Sequence, residues 1–136
     1  MKPNALILFA PGTNRDGDVA LALQLAGAQT SIMPLKTLRE ENINWNDYQM
    51  LVLPGGFSYA DALGAGKLLA LDLSQYFLEQ VNTFVSAGKP VIGICNGFQA
   101  LVKSGILPGR EALQDAQFST LTYNQGNHFE CRWVTL

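Results

Sequence analysis

A cysteine stands between two glycines in the segment Gly93-Ile94-Cys95-Asn96-Gly97. Apolar residues precede this segment and a helix-like apolar period follows it, which predicts a sharp turn from a strand into a helix. Such a nucleophile elbow leaves little room for side chains on either flank and strains the backbone of its central residue. The helix N-terminus favours the reactive thiolate. Cys95 is therefore the candidate covalent nucleophile; the alternative is a small apolar residue buried in the core.

A second glycine-rich turn, Pro54–Tyr59, follows another apolar strand. Ligands of an open parallel sheet bind outside the carboxyl ends of its strands, so both turns are expected to face one cleft. The N–H of Asn96 and an N–H near Gly56 or Phe57 are candidates to stabilise the oxygen that becomes negative when a nucleophile attacks a carbonyl. Gly55 and Gly56 would let the backbone approach a substrate closely. Taken alone, Pro-Gly-Gly is also a common connecting turn.

The elements that position these turns alternate along the chain. Strands are predicted at Ala5–Ala10, Gln29–Met33, Met50–Leu53 and Val91–Ile94, and helices at Asp16–Ala26, Leu35–Glu41, Ser74–Ala87 and Phe98–Ser104. This alternation predicts parallel strands with right-handed crossovers and helices on both faces, which is an α/β fold built as a three-layer α/β/α sandwich with a mostly parallel sheet. The 136 residues, of which 48% are hydrophobic, suit a single domain spanning residues 1–136.

Composition excludes several classes of partner. The net charge is −2 and the nine Lys and Arg residues are scattered, which argues against a nucleic-acid partner. The sequence has neither an apolar stretch of about 20 residues nor the apolar core of a signal peptide, so we expect a cytoplasmic protein without a membrane partner. The two cysteines, Cys95 and Cys131, are not expected to pair in a reducing compartment. No Cys and His spacing indicates a metal site.

The glycine turns and three other segments resemble one family, the class I (triad) glutamine amidotransferases. The resemblance is closest to the glutaminase components of phosphoribosylformylglycinamidine synthases, the enzymes of purine biosynthesis. It spans nearly the whole chain, and the similar segments are Phe9–Asp18, Leu53–Asp61, Gly93–Gln99, Gly105–Gly109 and Phe129–Val134. The resemblance implies the flavodoxin-like fold of those amidotransferases.

The resemblance also implies an activity, the hydrolysis of L-glutamine. Cys95 would attack the side-chain amide, ammonia would leave, and water would resolve a glutamyl thioester. The ammonia would pass to a large ATP-dependent synthetase subunit that converts formylglycinamide ribonucleotide into the amidine. ATP and Mg belong to that partner, and no cofactor is expected in this chain. By motif position, the oxyanion hole would be formed by Gly56 and Asn96, and the substrate-binding residues would be Gly55, Phe57 and Gln99.

One departure from the family concerns the catalytic base. These amidotransferases carry their catalytic histidine and glutamate beyond the segment that corresponds to Phe129–Val134, whereas this sequence stops at Leu136. The only histidine, His128, precedes that segment and fits a loop or strand edge better than a triad base, although Glu130 two residues later makes a His-x-Glu pattern. We therefore expect a truncated chain that lacks the C-terminal part of the fold and is inactive or weakly active alone.

Two other functions remain open. The first is a non-catalytic binding or regulatory fragment that keeps glutamine affinity or the surface that docks to the synthetase. The second is a cysteine hydrolase or redox protein of the related elbow-cysteine superfamily, although those proteins often place a histidine where Asn96 stands here. An unfinished sheet exposes an edge, so a homodimer through that edge is also expected.

A few residues near the predicted cleft have two interpretations. Arg15 and Asp16 follow the first strand and lie near the cleft, but Asp16 also suits a helix N-cap. Tyr59 and Asp61 follow the second glycine turn; they either contact the synthetase or line the exit for ammonia, or they belong to a solvated loop. Finally, the segment Phe118–Leu136 is predicted to form two extended runs around a hairpin-like turn at Tyr123–Asn127.

Overall fold

The computed structural model describes residues 2–109 and 119–135. Its described strands form one sheet in which every neighbouring pair is parallel. The strands are β1 (Asn4–Phe9), β2 (Gln29–Pro34), β3 (Met50–Leu53) and β4 (Val91–Gly93), in the spatial order β2-β1-β3-β4. The helices are α1 (Asp16–Leu25), α2 (Leu35–Glu40), α3 (Lys67–Asp72), α4 (Leu78–Ser86) and α5 (Asn96–Lys103). Short 3₁₀ helices lie at Trp45–Asp47 and Ser58–Asp61, and a π-helical turn at Leu73–Phe77 joins α3 to α4.

Alternate residues of the central strands enter two separate cores. On one face of the sheet, Ile7 of β1 and Val52 of β3 form a core with Val19 and Ala20 of α1. The core on the other face joins the remaining strand residues to the other helices; its members include Leu6, Leu8, Leu51, Leu53, Leu38, Leu69, Leu73, Phe84 and Leu101. Helices therefore cover both faces, and the predicted three-layer α/β fold is confirmed. Burial on both faces explains why β1 from Ala5 onward and the whole of β3 are apolar at every position rather than at every second one.

Two predicted helices begin at different residues in the structure. The helix expected to start at Ser74 is preceded by further helical turns, which begin at Lys67. Two glycines, Gly64 and Gly66, stand just before that start, and glycine is typical of turns, so the sequence pattern there predicted a loop. The elbow helix begins at Asn96 instead of Phe98, because the turn between β4 and α5 is shorter than expected. The other predicted elements agree within one or two residues.

The predicted extended runs near the C-terminal end are wrong for the residues described there. Residues 119–135 contain no strand, and every one of them is exposed. The turn itself is present, since the Asn127 N–H donates a hydrogen bond to the Asn124 carbonyl at 2.8 Å. Extended backbone becomes a strand only when a neighbouring chain segment pairs with its N–H and C=O groups, and no described segment does so here. Phe118 and Leu136 lie outside the described residues.

Strand β4 forms one edge of the described sheet. It pairs only with β3 among the described residues, through Leu51–Val91, Val52–Ile92 and Leu53–Gly93. Ile92 and Ile94 are 40% and 43% exposed, because α1 covers the β1 side of that sheet face and not β4. The homodimer expected at this edge stays a prediction.

Candidate functional site

The turn between β4 and α5 has the geometry of a nucleophile elbow. Cys95 precedes the first residue of α5 and has φ +48° and ψ −109°, a left-handed region that side chains other than glycine rarely adopt. A conformation of this kind costs roughly 1–3 kcal/mol and persists only where the surrounding structure enforces it. The Cys95 side chain is exposed, so the alternative interpretation as a buried core residue is wrong. The strained turn presents the sulfur to solvent at the N-terminus of a helix.

Both flanking glycines of the elbow are required by close contacts. A Cβ at Gly93 would lie 2.8 Å from the backbone nitrogen of Phe98, and a Cβ at Gly97 would lie 2.1 Å from the carbonyl oxygen of Leu53. Real Cβ atoms do not approach backbone atoms this closely. The first glycine therefore lets α5 fold back over the end of β4, and the second lets α5 approach β3.

The structure brings the second glycine turn against the nucleophile. This turn follows β3, the strand next to β4 in the sheet. A Cβ at Gly55 would lie 3.5 Å from the Cβ of Cys95 and 3.9 Å from the Cγ of Arg15. Gly55 thus lies close to both the Cβ of Cys95 and the stem of Arg15. The guanidinium of Arg15 donates to Asp18 at 3.0 Å in an exposed ion pair.

The backbone N–H groups of this turn are not equivalent. The Phe57 N–H donates to the Gly12 carbonyl at 3.0 Å, and the Phe57 side chain is 62% exposed. The N–H groups of Gly56 and Asn96 have no hydrogen-bond acceptor within the described parts of the chain. Gly56 has φ +144°, and a Cβ there would lie 2.7 Å from the nitrogen of Asn14. Of the two predicted positions for the second oxyanion donor, the hydrogen bonds therefore favour Gly56 over Phe57.

The side chain of Asn96 links the elbow to the second glycine turn. Its Oδ1 accepts hydrogen bonds from the N–H and the hydroxyl of Ser58 at 3.1 and 2.6 Å. Its Nδ2 donates to Asp61 at 2.8 Å and lies 3.5 Å from the Oε1 of Gln99. Sequence reasoning missed Ser58, which is only 2% exposed, because nothing about an isolated serine in a loop indicates burial. Gln99 is half-buried one turn into α5.

The loop beyond Ser58 is held in an unusual backbone conformation. Three successive residues, Tyr59, Ala60 and Asp61, have φ between +52° and +54°. Left-handed backbone costs roughly 1–2 kcal/mol for each residue other than glycine. The Tyr59 hydroxyl donates to the carboxylate of Asp72, and partial burial together with this carboxylate raises the pKa of Tyr59 well above its usual value. Tyr59 and Asp61 are therefore bonded to the fold, and the solvated-loop interpretation of both is wrong.

The remaining sequence candidates are Arg15 and Asp16 at the start of α1 and His128 in the segment 119–135. Arg15 occupies the N-cap position of α1, so Asp16 is the first helical residue and not the cap that the sequence suggested. His128 belongs to the exposed segment 119–135, where its Nδ1 donates to the Gly126 carbonyl at 2.8 Å and its Nε2 lies 3.0 Å from Glu130. None of the described interactions of His128 connects it to Cys95.

The described residues show neither a metal cluster nor a membrane-spanning helix. Within residues 2–109 and 119–135, no group of three or more His, Cys, Asp and Glu side chains is placed to hold a metal ion. No helix in the same part of the chain has the length and apolar character needed to cross a bilayer. Cys95 and Cys131 are both free thiols.

The fold and the elbow cysteine define a glutamine amidotransferase domain. Residues 2–136 match the family model of the CobB/CobQ-like glutamine amidotransferase domain, and the chain belongs to that family. Its relatives include the phosphoribosylformylglycinamidine synthase subunit PurQ of Treponema denticola, 60% identical over 146 aligned positions that cover 100% of this chain and 54% of that protein. The subunit of the same name from Dehalococcoides mccartyi is 45% identical over 99% of this chain and 52% of its own length.

Solved structures agree with the sequence relatives. A chain in the structure of PurLQS from Thermotoga maritima superposes with a TM-score of 0.72 at 34% identity, covering 98% of this chain and 54% of that one. A glutamine amidotransferase from the same organism has a TM-score of 0.51 at 16% identity, which supports the fold alone. The predicted resemblance to class I glutamine amidotransferases close to PurQ is confirmed. The chain spans about half the length of the curated relatives it matches.

Proposed function

We propose that this chain carries the nucleophile and oxyanion hole of a glutaminase that supplies ammonia to a phosphoribosylformylglycinamidine synthase. The observation that carries the proposal is the position of Cys95, a strained and exposed residue beside Gly55. The N–H groups of Gly56 and Asn96, on the two adjoining turns, have no acceptor among the described residues. Relatives named as the PurQ subunit of that synthase support the assignment of the reaction.

The proposed reaction begins with attack by the Cys95 thiolate on the side-chain amide carbon of L-glutamine. A carbon–sulfur bond forms, and the amide oxygen takes the negative charge and accepts hydrogen bonds from the N–H groups of Gly56 and Asn96. The carbon–nitrogen bond then breaks, and the nitrogen takes a proton and leaves as ammonia. Water attacks the glutamyl thioester, which releases glutamate and restores the thiol. Gly55, Phe57 and Gln99 are the proposed substrate-binding residues.

Proton transfer in this reaction needs an acid and a base. His128 is a poor candidate because its two ring nitrogens contact Gly126 and Glu130 in an exposed segment. The family resemblance assigns proton transfer to a histidine and a glutamate that follow the segment matching Phe129–Val134. We therefore expect weak or no turnover from these 136 residues alone.

The proposed partner is a large ATP-dependent synthetase that receives the ammonia. The similar chain from Thermotoga maritima was solved within a structure of PurLQS, which supports a multi-subunit setting for that chain. A cytoplasmic location is proposed from this biosynthetic role. Membership of the amidotransferase family argues against the alternative interpretation as a cysteine hydrolase or redox protein of the related elbow-cysteine superfamily.

A non-catalytic binding fragment is the second candidate, and the position of His128 favours it over independent turnover. Such a fragment would bind glutamine or the synthetase without releasing ammonia. Ammonia release above the rate of the Cys95→Ala variant would exclude the binding fragment, whereas release at that rate is expected of both candidates in these 136 residues.

The first test is alkylation of the two cysteines by a chloroketone analogue of glutamine at pH 7, mapped by mass spectrometry. Cys131 is exposed as well, so it serves as an internal control for access. We expect Cys95 to react at least about tenfold faster, because the proposed oxyanion hole and glycine turn would orient the glutamine group of the reagent against its sulfur, and we expect excess L-glutamine to suppress the reaction. Equal rates at the two thiols, or no protection by glutamine, would contradict a substrate pocket at Cys95.

A further inference from the structure

The two turns of the proposed site meet through one buried side chain. Asn96 is 3% exposed and Ser58 is 2% exposed, yet both are polar. The Asn96 Oδ1 accepts two hydrogen bonds from Ser58, and the Asn96 Nδ2 donates one to Asp61, so both polar atoms of the amide are bonded. No buried polar side-chain atom lacks a partner in the described residues. A polar group enclosed to this extent is stable only while every one of these bonds is made.

The loop that Asn96 holds does not keep its shape by local preference. Tyr59, Ala60 and Asp61 are all left-handed, a conformation that none of these residue types favours strongly in succession. External bonds therefore fix it: the Tyr59 N–H donates to the Pro11 carbonyl at 2.6 Å, and Asp61 accepts from Asn96. Loss of the Asn96 bonds would release the loop at the end that adjoins the glycine turn.

Short covalent paths connect these bonds to the reacting groups. Asn96 follows Cys95 directly, and Ser58 is two residues beyond Gly56. The hydrogen bonds between Asn96 and Ser58 therefore contribute to the separation between the thiol and the Gly56 N–H, together with the Phe57 bond to Gly12. An oxyanion hole works through donors that are in position before the charge develops, and a displacement of about 1 Å can reduce the rate roughly 100-fold.

We propose that the side chain of Asn96 is a positioning residue, which holds the Gly56 N–H in register with Cys95 through Ser58 and Asp61. This inference rests on the proposed function and adds to it, because the oxyanion hole uses the backbone of Asn96 and not its amide. The amide acts through its polarity: Oδ1 accepts from Ser58 while Nδ2 donates to Asp61. An aspartate of the same shape cannot donate, and it places a second carboxylate against Asp61.

The test compares Asn96→Asp with the double variant Asn96→Asp/Asp61→Asn, in which an amide at position 61 can again donate to the carboxylate at position 96. The control is Asn42→Asp, the same change at an exposed loop residue with no described hydrogen bond through its side chain. The readout is the rate of Cys95 alkylation by the glutamine chloroketone divided by the rate with iodoacetamide. A negative charge at position 96 would slow the reaction of the Cys95 thiol with both reagents, so this effect cancels in the ratio. The ratio therefore measures how well the site orients the glutamine group.

We expect Asn96→Asp to lower this ratio about tenfold, the double variant to recover most of it, and the control to match wild type. Ser58→Ala, which removes only the hydroxyl donor, should lower the ratio about threefold and keeps the test informative if Asn96→Asp fails to fold. A wild-type ratio in folded Asn96→Asp, or in Ser58→Ala should the former not fold, would overturn the positioning role. If glutamine fails to protect Cys95 even in the wild-type chain, the proposed function itself fails, and that outcome is distinct.

Discussion

Gly97 lies against the carbonyl group of Leu53 so closely that a Cβ on Gly97 would stand 2.1 Å from its oxygen. The same oxygen accepts a hydrogen bond from the Ile94 N–H at 3.0 Å, so it is fixed by the pairing of the turn with β3. Helix α5 consequently approaches the end of β3 only because the second glycine of the elbow carries no side chain. This contact links the glycine spacing of the motif to the position of the thiol.

Replacement of Gly97 by alanine should therefore destabilise the elbow. We expect the free energy of unfolding to fall by about 2–3 kcal/mol, since neither the helix nor the fixed carbonyl can move without breaking other contacts. Gly17→Ala is the matched control: a Cβ there meets no atom within 4 Å, and alanine suits helix α1 better than glycine. Chemical denaturation of both variants checks this. Equal stability changes for Gly97→Ala and Gly17→Ala would contradict the role given to the Leu53 contact.

The elbow could be predicted from sequence because its requirements are local. Gly93 and Gly97 flank the cysteine at a spacing that only a tight strand-to-helix turn explains, and both glycines meet backbone atoms when a Cβ is added. The bonds of Asn96 to Ser58 and Asp61 could not be predicted, because they join residues 38 and 35 positions apart. They also depend on a left-handed loop for which Ser-Tyr-Ala-Asp gives no local signal.

The predictability of the other elements also depended on whether their causes are local in the sequence. Strands β1 and β3 were predictable because burial on both faces makes β1 from Ala5 onward and all of β3 apolar. The runs predicted on either side of Tyr123–Asn127 had strand-like composition, but a strand also requires a partner, which composition does not supply. The start of α3 was missed because Gly66 ends a glycine-containing turn immediately before it.

The strained backbone at Cys95 is expected to lower the free energy of unfolding. Cys95→Gly should raise the free energy of unfolding by about 1 kcal/mol, because glycine adopts φ +48° without the penalty, less the entropy that glycine adds to the unfolded chain. Cys95→Ala also removes the thiol but keeps the strain, so its stability should stay within about 0.5 kcal/mol of wild type. Denaturant unfolding of the two variants separates strain from the loss of sulfur. An alanine variant as stable as the glycine variant would show that the elbow stores no strain.

The two glycines of the second turn should respond differently to alanine. A Cβ at Gly55 meets only ordinary contacts, the nearest being Cys95 and the Ile94 carbonyl at 3.5 Å, so Gly55→Ala should change stability by less than about 0.5 kcal/mol. The added methyl group narrows the cleft beside the thiol, and glutamine protection of Cys95 should weaken at least about tenfold. Full protection in a stable Gly55→Ala variant would place the substrate elsewhere.

In contrast, Gly56→Ala should mainly lower the stability of the fold. Its Cβ would stand 2.7 Å from the Asn14 nitrogen, and φ +144° is unfavourable for alanine. We expect a loss of about 2 kcal/mol or more in the free energy of unfolding. Thermal unfolding of Gly55→Ala and Gly56→Ala side by side measures the difference, and similar midpoints would contradict the close packing of Gly56 against Asn14.

The bond between Tyr59 and Asp72 predicts a loss of stability at alkaline pH. Partial burial, with the neighbouring carboxylate, raises the pKa of Tyr59 above its usual value, whereas the unfolded chain releases this proton near pH 10. Above about pH 10 the unfolded state therefore binds fewer protons than the folded state, and the free energy of unfolding falls by up to about 1.4 kcal/mol per pH unit from this group. Below that pH the contribution is fully present.

Tyr59→Phe isolates this contribution from the other groups that titrate in the same range. The variant loses the hydrogen bond to Asp72, so it should be about 1 kcal/mol less stable at pH 7. Between pH 10 and pH 11 its stability should fall less steeply than that of wild type, and the two curves should converge. Tyr123→Phe is the control, because the side chain of Tyr123 is 88% exposed. Urea unfolding across this pH range gives both curves, and parallel curves for wild type and Tyr59→Phe would show that the Tyr59 hydroxyl does not stabilise the loop through its proton.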